Sequence, residues 1–353
     1  MKKRAVTGNQ NSNSLKQPNQ IWFNLKVLLL GCLVCFVLLI IIIILYSFAY
    51  QAQPQQKEYG YFFDESVVFD LDTHCQTVEI SSLNKILILT DLHFYGLGDY
   101  KSKQTIKNIV SSVKPELIFI LGDLCFTPRN LKAYRDLVVL FDSFKIPWAP
   151  IFGNHDNFGP ASKEVLSDVL AESIYCLYQY GPSNYEGGGN YCLNISIDDI
   201  IVHSFILFDS HTQALSANPS LVDIQIKWYQ FIINGLKNTV DSNIETTILI
   251  HVPINEYVDA YTSGTIIFGE MREKQSIPSV NTGIFTVIKN LGSTKTIICG
   301  HDHLNNYYAL YEGILFVYAQ KTCTGSYYDK DFLGYMCAVI NNDGSLDLTT
   351  TIL

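Results

Sequence analysis

The sequence predicts an α/β fold in which two packed mixed sheets carry helices on their outer faces, preceded by one transmembrane helix. Two observations support this. Short apolar runs alternate with amphipathic stretches through the body of the chain, which is the pattern of strand–helix–strand units. A long uncharged apolar run precedes that body and is of the length that crosses a bilayer.

The N-terminal apolar run covers residues 27–49, and no charge occurs between Lys26 and Lys57. A helix of about 23 residues spans roughly 34 Å, enough to cross the hydrocarbon core. Since the positive charges precede the run, we expect a cytoplasmic basic tail over 1–24, a retained membrane helix over 25–50, and the body outside the cytosol. That places the large C-terminal body outside the cell or in a secretory or vacuolar lumen. A cleaved signal peptide is the alternative, although its apolar region is usually shorter.

Charge divides the chain into two unlike parts. The formal net charge is −9, yet residues 1–57 contain six bases and no acid, so the remainder carries −15. An acidic body repels a phosphate backbone, and no nucleic-acid partner is therefore expected.

The cysteines follow from this topology. Nine cysteines in 353 residues are too few for a disulfide scaffold, but in an oxidising lumen some of the seven in the body should pair. Cys176 and Cys192 flank a loop of small polar residues and are the first candidate bridge. The sequon at Asn194 offers weak support for a lumenal body.

The body begins with a linker and lead-in over 51–83, and the folded domain follows over 84–353. Apolar runs predict strands over 85–90, 117–121 and 147–152, and amphipathic spacing predicts helices over 101–113, 129–144 and 162–178.

The second half predicts more strands and fewer helices. A hairpin is expected over 191–197 and 200–208, a helix over 221–236, and a long loop over 259–279 that forms a rim. Further strands are predicted over 246–250, 296–299, 307–310, 314–319, 336–340 and 346–352.

Five polar motifs directly follow predicted strands. Each has an ordinary interpretation alone: a Gly-Asp turn is common, and a single buried histidine is more often structural. Together, and at the strand ends where α/β proteins bind ligands, they indicate a site. The motifs are Asp91-Leu92-His93, Gly122-Asp123, Gly153-Asn154-His155-Asp156, His251 and Gly300-His301-Asp302-His303.

The residue types identify the chemistry. Imidazole and carboxylate without thiolate suit zinc, iron or manganese. Seven such ligands exceed the four of one closed tetrahedral site, so they indicate two ions that share a bridging carboxylate.

This ordered motif set resembles the calcineurin-like metallophosphoesterases over about residues 84–345, and the stretch 251–257 resembles the purple-acid-phosphatase-like subgroup. The resemblance implies a four-layer α/β/β/α sandwich. It implies metal ligation by Asp91, His93 and His303 at one ion, by Asn154, His251 and His301 at the other, and by Asp123 at both. Phe126 stands where true purple acid phosphatases have a tyrosine ligand, so their colour is not expected.

The resemblance also implies the function. His155 would stabilise or protonate the reacting phosphate ester, and Asp156 would orient His155. The chain would be a membrane-anchored phosphatase whose metal-bound hydroxide hydrolyses phosphate monoesters, with two Fe, Zn or Mn ions as cofactors. Two alternatives stay open: a phosphodiesterase acting on nucleotides or lipid head groups, and a catalytically silent scaffold of the same fold.

Overall fold

The computed structural model describes residues 18–50, 60–96, 98–183, 188–210 and 221–353. The chain divides into two units, Met1–Ala52 and Gln53–Leu353. Helix α1 of the first unit runs over Pro18–Tyr50. Its segment Trp22–Ile43 has a mean hydropathy of 3.2, and none of it is buried. These properties suit either a membrane anchor or a signal sequence. Most of the predicted basic tail, residues 1–17, lies outside the described residues.

The second unit contains seven helices and thirteen strands within the described residues. The helices are α2 (Leu71–His74), α3 (Tyr100–Val113), α4 (Asn130–Asp142), α5 (Lys163–Ala171), α6 (Asp223–Thr239), α7 (Tyr257–Ser263) and α8 (Ile284–Leu291). The strands are β1 (Cys75–Glu79), β2 (Ile86–Leu89), β3 (Leu117–Leu121), β4 (Trp148–Ile151), β5 (Tyr191–Ile197), β6 (Ile200–Phe208), β7 (Thr246–Ile250), β8 (Thr265–Phe268), β9 (Thr294–Cys299), β10 (Tyr308–Tyr311), β11 (Ile314–Tyr318), β12 (Gly334–Ile340) and β13 (Leu346–Ile352).

The strands form two mixed sheets. The smaller has the order β13-β12-β2-β3-β4, and the larger has the order β1-β5-β6-β7-β9-β11-β10-β8. Strands β2, β3 and β4 run parallel, as do β6, β7, β9 and β11. The runs of parallel strands bring polar residues at their carboxyl ends to shared edges.

Two apolar cores fix the layers. One joins the small sheet to α3, α4 and α5 and to the alternate side chains Tyr191 and Leu193 of β5. The other packs α6, α7 and α8 against the opposite face of the large sheet. Successive residues of a strand point to opposite faces of its sheet. The large sheet therefore contributes side chains to both cores, one from each face. The predicted four-layer α/β/β/α sandwich is confirmed.

Two local predictions are wrong. The helix predicted over 162–178 ends at Ala171, because residues 175–177 instead pair with the edge of β4: the Trp148 N–H donates to the Tyr175 carbonyl at 2.9 Å. The loop predicted over 259–279 contains most of α7 and all of β8, whose four exposed residues add an edge to the large sheet. The lead-in, expected to be irregular or to form an edge strand, contains β1 at the edge of the large sheet. Helix α2 was not predicted.

All nine cysteines have free thiols in the structure, and the expected Cys176–Cys192 bridge is wrong because the fold separates this pair. Cys192 faces the core that holds α6, whereas Cys176 packs on the core that holds Tyr191. The pleat of β5 therefore separates the two thiols. The sequon asparagine Asn194 is fully buried, and its Oδ1 accepts the Ser204 hydroxyl at 2.7 Å, so the folded domain leaves no room for a glycan there.

His203 on β6 makes stability depend on pH. Burial lowers its pKa from 6.5 to about 4, although the Gly344 carbonyl, 2.8 Å from Nδ1, opposes that shift. The unfolded chain therefore binds more protons than the folded chain between about pH 4 and 6.5, and stability rises with pH across that window. We expect roughly 3 kcal/mol to be lost as pH falls from 6.5 to 4.

Urea unfolding at several pH values, with wild type and His203→Gln compared under chelator, measures this contribution. The difference between the two slopes isolates His203 from the other buried histidines. Parallel curves across pH 4 to 6.5 would show that the His203 ring stays protonated in the fold.

Candidate metal centre

The site lies where the carboxyl ends of five strands from the two sheets meet. Residues immediately after β2, β3 and β4 come from the small sheet, and residues after β7 and β9 come from the large one. The seven predicted ligands are all buried: Asp91, His93, Asp123, Asn154, His251, His301 and His303. The sheets thus gather residues that are up to 212 positions apart in the sequence.

Four of these side chains form a tight group. One ligand atom from each of Asp91, His93, Asp123 and His303 lies within 4.8 Å of all the others. The Nε2 atoms of His93 and His303 are 3.0 Å apart, and His303 Nε2 is 3.2 Å from Asp91 Oδ1. Two imidazoles and two carboxylates at this spacing converge on one point, as a metal ion requires.

Asp123 connects this group to a second one. Its Oδ2 lies 3.4 Å from His93 Nε2 and 3.3 Å from His251 Nε2. His251 Nε2 in turn lies 3.1 Å from Asn154 Oδ1, and the His251 and His301 ring centroids are 5.2 Å apart. One carboxylate oxygen therefore faces both groups, which is the position of a bridging ligand.

Backbone carbonyls orient two of the rings. His251 Nδ1 lies 2.7 Å from the Leu121 carbonyl, and His303 Nδ1 lies 2.8 Å from the Tyr327 carbonyl. A carbonyl oxygen only accepts, so each Nδ1 must donate. In the neutral ring this leaves the Nε2 lone pair directed at the site, the arrangement found in metal-ligating histidines.

Several atoms in the site have no hydrogen-bond partner. Asp91 Oδ1, Asp123 Oδ2 and His301 Nε2 are fully buried without one among the described residues. A buried polar atom without a partner costs free energy, and such atoms are uncommon. Their convergence fits a centre that binds cations.

The pKa values favour neutral imidazole and ionised carboxylate. Burial lowers the pKa of His93 to about 4 and that of His301 to about 3. Burial raises the pKa of Asp123, but the charges of His251 and His93 outweigh it and hold that pKa well below its usual range. His251 differs: burial lowers its pKa, but Asp123 raises it to about 10. A metal ion bound at His251 would therefore displace a proton.

The backbone at the ligands is strained. Asp91, His93, Asp123 and His301 have φ values of 54°, 47°, 50° and 78°. Residues other than glycine seldom adopt this left-handed region, and such conformations cluster at functional sites. Four such ligands indicate that the surrounding structure holds the centre in place.

Two motif glycines make room for the ligands. A Cβ on Gly153 would lie 2.2 Å from Asp123 Oδ1, and a Cβ on Gly300 would lie 2.1 Å from Thr90 Oγ1 and 2.8 Å from Asp91 Oδ2. The Thr90 hydroxyl itself donates to Asp91 Oδ2 at 2.7 Å. The glycines therefore allow the segments at the ends of neighbouring strands to approach each other closely.

Gly300→Ala tests this packing. We expect metal affinity to fall by about 10- to 100-fold, because displacement of Thr90 disturbs a partner of the ligand Asp91. The measurement is metal titration under competition with a chelator. Gly313→Ala is the control, since its Cβ would meet nothing within 4 Å although φ is +80°. Equal affinities in both variants would show that the site tolerates the methyl group.

His155 lies beside the cluster and is partly exposed. Its backbone N–H donates to Asp123 Oδ1 at 2.9 Å, and its ring centroid is 5.7 Å from that of His93. Phe126 packs against the His155 ring at 4.5 Å and against Phe158, which is 50% exposed, at 4.8 Å. An aromatic wall thus flanks the imidazole that is closest to solvent.

Asp156 contacts the loop and not the ring. Its Oδ1 accepts the Cys125 N–H at 3.0 Å and its Oδ2 accepts the Gly153 N–H at 2.7 Å. Burial, followed by repulsion from Asp123, raises the pKa of Asp156 to about 7. Among the described residues, Asp156 has no hydrogen bond to the His155 ring. The role of Asp156 in orienting His155 stays a prediction, and Asp156 would exert it through the loop.

Lys321 was not predicted as part of the site. It is buried, and its Nζ donates to the Asp91 carbonyl at 2.8 Å. It closely follows β11, which runs parallel to β9. The sequence does show a lysine just beyond a buried strand, which could have marked Lys321 as a site residue. That this lysine contacts the Asp91 carbonyl depends on the order of the strands in the sheets.

Comparison with known proteins agrees with this geometry. The family model described as "Calcineurin-like phosphoesterase" matches residues 84–305. "Probable inactive purple acid phosphatase 14" of Arabidopsis thaliana is 25% identical over 279 residues, covering 67% of this chain and 69% of that protein. "Phosphatase DCR2" of Saccharomyces cerevisiae is 25% identical over 260 residues, covering 63% of this chain and 44% of that protein.

A solved structure shares the fold. The crystal structure of a dimetal phosphatase from Danio rerio has a TM-score of 0.52 and 12% identity, and covers 77% of this chain and 96% of that one. At this identity the likeness concerns the fold alone.

Proposed function

The chain belongs to the calcineurin-like phosphoesterase family, and on that premise we propose that it is a dinuclear-metal phosphatase that hydrolyses phosphate monoesters. The observation that carries the proposal is the shared position of Asp123 Oδ2, which lies between His93 and His251 and has no hydrogen-bond partner.

The proposed ligands fall into two sets that share Asp123. Asp91, His93 and His303 would hold one ion, and Asn154, His251 and His301 would hold the other. Iron, zinc and manganese all suit these donors. When bound, such a pair activates water and offsets the negative charge of a phosphoryl group. That offset matters here because the chain carries a net charge of −9 and its substrate is an anion.

His155 would act on the leaving group. It is the partly exposed imidazole next to the cluster, and the bond from its own N–H to Asp123 fixes its distance from the metal-binding side chains. A histidine placed in this way supplies a proton to the departing alkoxide as the ester bond breaks. Asp156 would keep the loop in register through its bonds to the Cys125 and Gly153 N–H groups.

The silent-scaffold alternative has one specific observation in its favour: related plant proteins carry the words "probable inactive" in their names. The intact set of seven ligands supports the enzyme instead, because a chain free of catalytic selection has no need of four strained ligand residues.

We propose as well that α1 anchors the protein in a membrane, with the N-terminus cytoplasmic and the domain extracellular or lumenal. Five bases precede the apolar run, only Lys57 follows it before Glu58, and no acid occurs in this part of the chain, which supports this orientation. Protease protection of epitope tags at the two termini of the full chain in sealed microsomes would test it.

The activity test uses the purified full-length protein in detergent. Metal content per chain and turnover of an aryl phosphate monoester and an aryl diester are measured after loading with zinc, manganese or iron. We expect two metals per chain and a preference for the monoester. Diester preference would assign the protein as a phosphodiesterase, two bound metals without turnover of either ester would favour the scaffold, and absence of bound metal would refute the centre.

A further inference from the structure

Two buried cysteines face each other across neighbouring strands, away from the metal centre. Strand β1 pairs in parallel with β5, and Cys75 is the register partner of Cys192. Their exposed fractions are 4% and 0%, and both belong to the core that holds α6. Burial, followed by the neighbouring Cys75 thiol, raises the pKa of the Cys192 thiol. We propose that Cys75 and Cys192 form the disulfide of the folded domain in an oxidising compartment.

The backbone geometry permits this bond. Neighbouring strands lie about 4.7–4.9 Å apart, and disulfides join Cα atoms about 4.4–6.8 Å apart. Register partners also point to the same face of a sheet, so both Cβ atoms are directed into the same core. The bond therefore requires no shift of either strand along its axis.

No other cysteine within a described strand lies opposite a second cysteine. In the strand registers Cys299 lies opposite Tyr318, and Cys337 lies opposite Leu87 and Thr349. Cys176 forms its β-bridge with Trp148, on the other side of β5. Cys75 and Cys192 are thus the one cysteine pair in register among the described strands.

The bond would secure the segment that enters the domain. Strand β1 is the outermost strand of the large sheet and has only β5 as a neighbour. It also precedes residues 84–305, the part that matches the family. An edge strand held from one side opens more readily than a central strand, and a covalent bond to β5 would prevent that opening.

The chemistry is thiol–disulfide exchange with glutathione disulfide. The thiolate of one cysteine attacks a glutathione sulfur and releases one glutathione thiolate. The thiolate of the other then attacks the mixed disulfide and releases the second glutathione. Two thiol protons are lost, the cysteine pair is oxidised by two electrons, and glutathione disulfide is reduced. Burial raises the pKa of Cys192, so we expect the bond to form while β1 docks and not after the core has closed.

The test refolds the full-length chain in detergent with a reduced and oxidised glutathione buffer. The protein is then unfolded in denaturant while free thiols are alkylated, digested without reduction and analysed by mass spectrometry. We expect a linked peptide pair containing Cys75 and Cys192, with the other body cysteines alkylated. Cys176→Ser should keep the linked pair, whereas Cys75→Ser should leave Cys192 alkylated.

The wild-type protein supplies a second measurement that depends on no variant. Reduction of the bridged form should lower Tm by about 5 °C or more, because the bond closes a long loop. Alkylation of both Cys75 and Cys192 when the refolded protein is unfolded with the alkylating reagent, or linkage of Cys192 to Cys176, would overturn the proposal. These readouts are independent of metal content and ester turnover, so their failure is distinct from failure of the proposed activity.

Discussion

Asp123→Asn is expected to lower kcat/KM for an aryl phosphate by about a thousand-fold or more and to reduce metal content from two ions to one or fewer per chain. Asparagine keeps the shape of the side chain and the Oδ1 atom that accepts the His155 N–H at 2.9 Å. Its amide group replaces Oδ2, the atom that lies 3.4 Å from His93 and 3.3 Å from His251. The substitution therefore removes the shared ligand while the loop that carries His155 keeps its contact.

The matched control is Asp142→Asn in α4. That carboxylate accepts the Trp148 indole N–H at 3.0 Å and the Ser173 hydroxyl at 2.6 Å, away from the cluster. It should leave metal content and kcat/KM unchanged. Thermal unfolding with and without metal adds a third readout, since a ligand that binds only the folded state raises Tm. Full metal content in Asp123→Asn would show that Asp123 is not the bridging ligand.

His155→Ala is expected to lower kcat by about 10²- to 10⁴-fold while metal content stays at the wild-type value. The loss should be larger for an alkyl phosphate than for a nitrophenyl phosphate, because a poor leaving group depends more on protonation. This difference separates proton transfer from a purely structural role. His155 has its ring in contact with Phe126 and is partly exposed, so truncation to alanine leaves the buried ligands in place.

His203→Gln is the histidine control for this experiment, because His203 lies on β6 and contacts Gly344 and Thr247 instead of the cluster. It should leave kcat unchanged for both esters. Equal losses for the alkyl and nitrophenyl esters in His155→Ala would exclude His155 as the general acid. A fall in bound metal would make it a ligand instead.

Local patterns in the sequence determined much of the fold. The run 117–121 is apolar at every position, and the run 246–250 has two threonines followed by three aliphatic residues. Both are fully buried strands with the predicted bounds. The hairpin over 191–208 is also as predicted, with Asp198 and Asp199 at φ 52° and 63° in the turn. Other patterns failed. The residues of β8 are exposed on both faces, so no alternation of buried and exposed positions marks the strand. Residues 175–177 pair with β4 in spite of helical spacing.

The candidate metal-binding side chains could be predicted from the sequence because each follows a strand within a short motif, and a strand end is a local feature. Their grouping depends on the tertiary structure. The order of strands in the two sheets brings Asp123 between His93 and His251. It also places Lys321 next to the Asp91 carbonyl. In the large sheet, it pairs Cys192 with Cys75 and not with Cys176. Residue spacing along the chain encodes a strand and its faces. Which distant strand becomes its neighbour depends on the packing of the whole core.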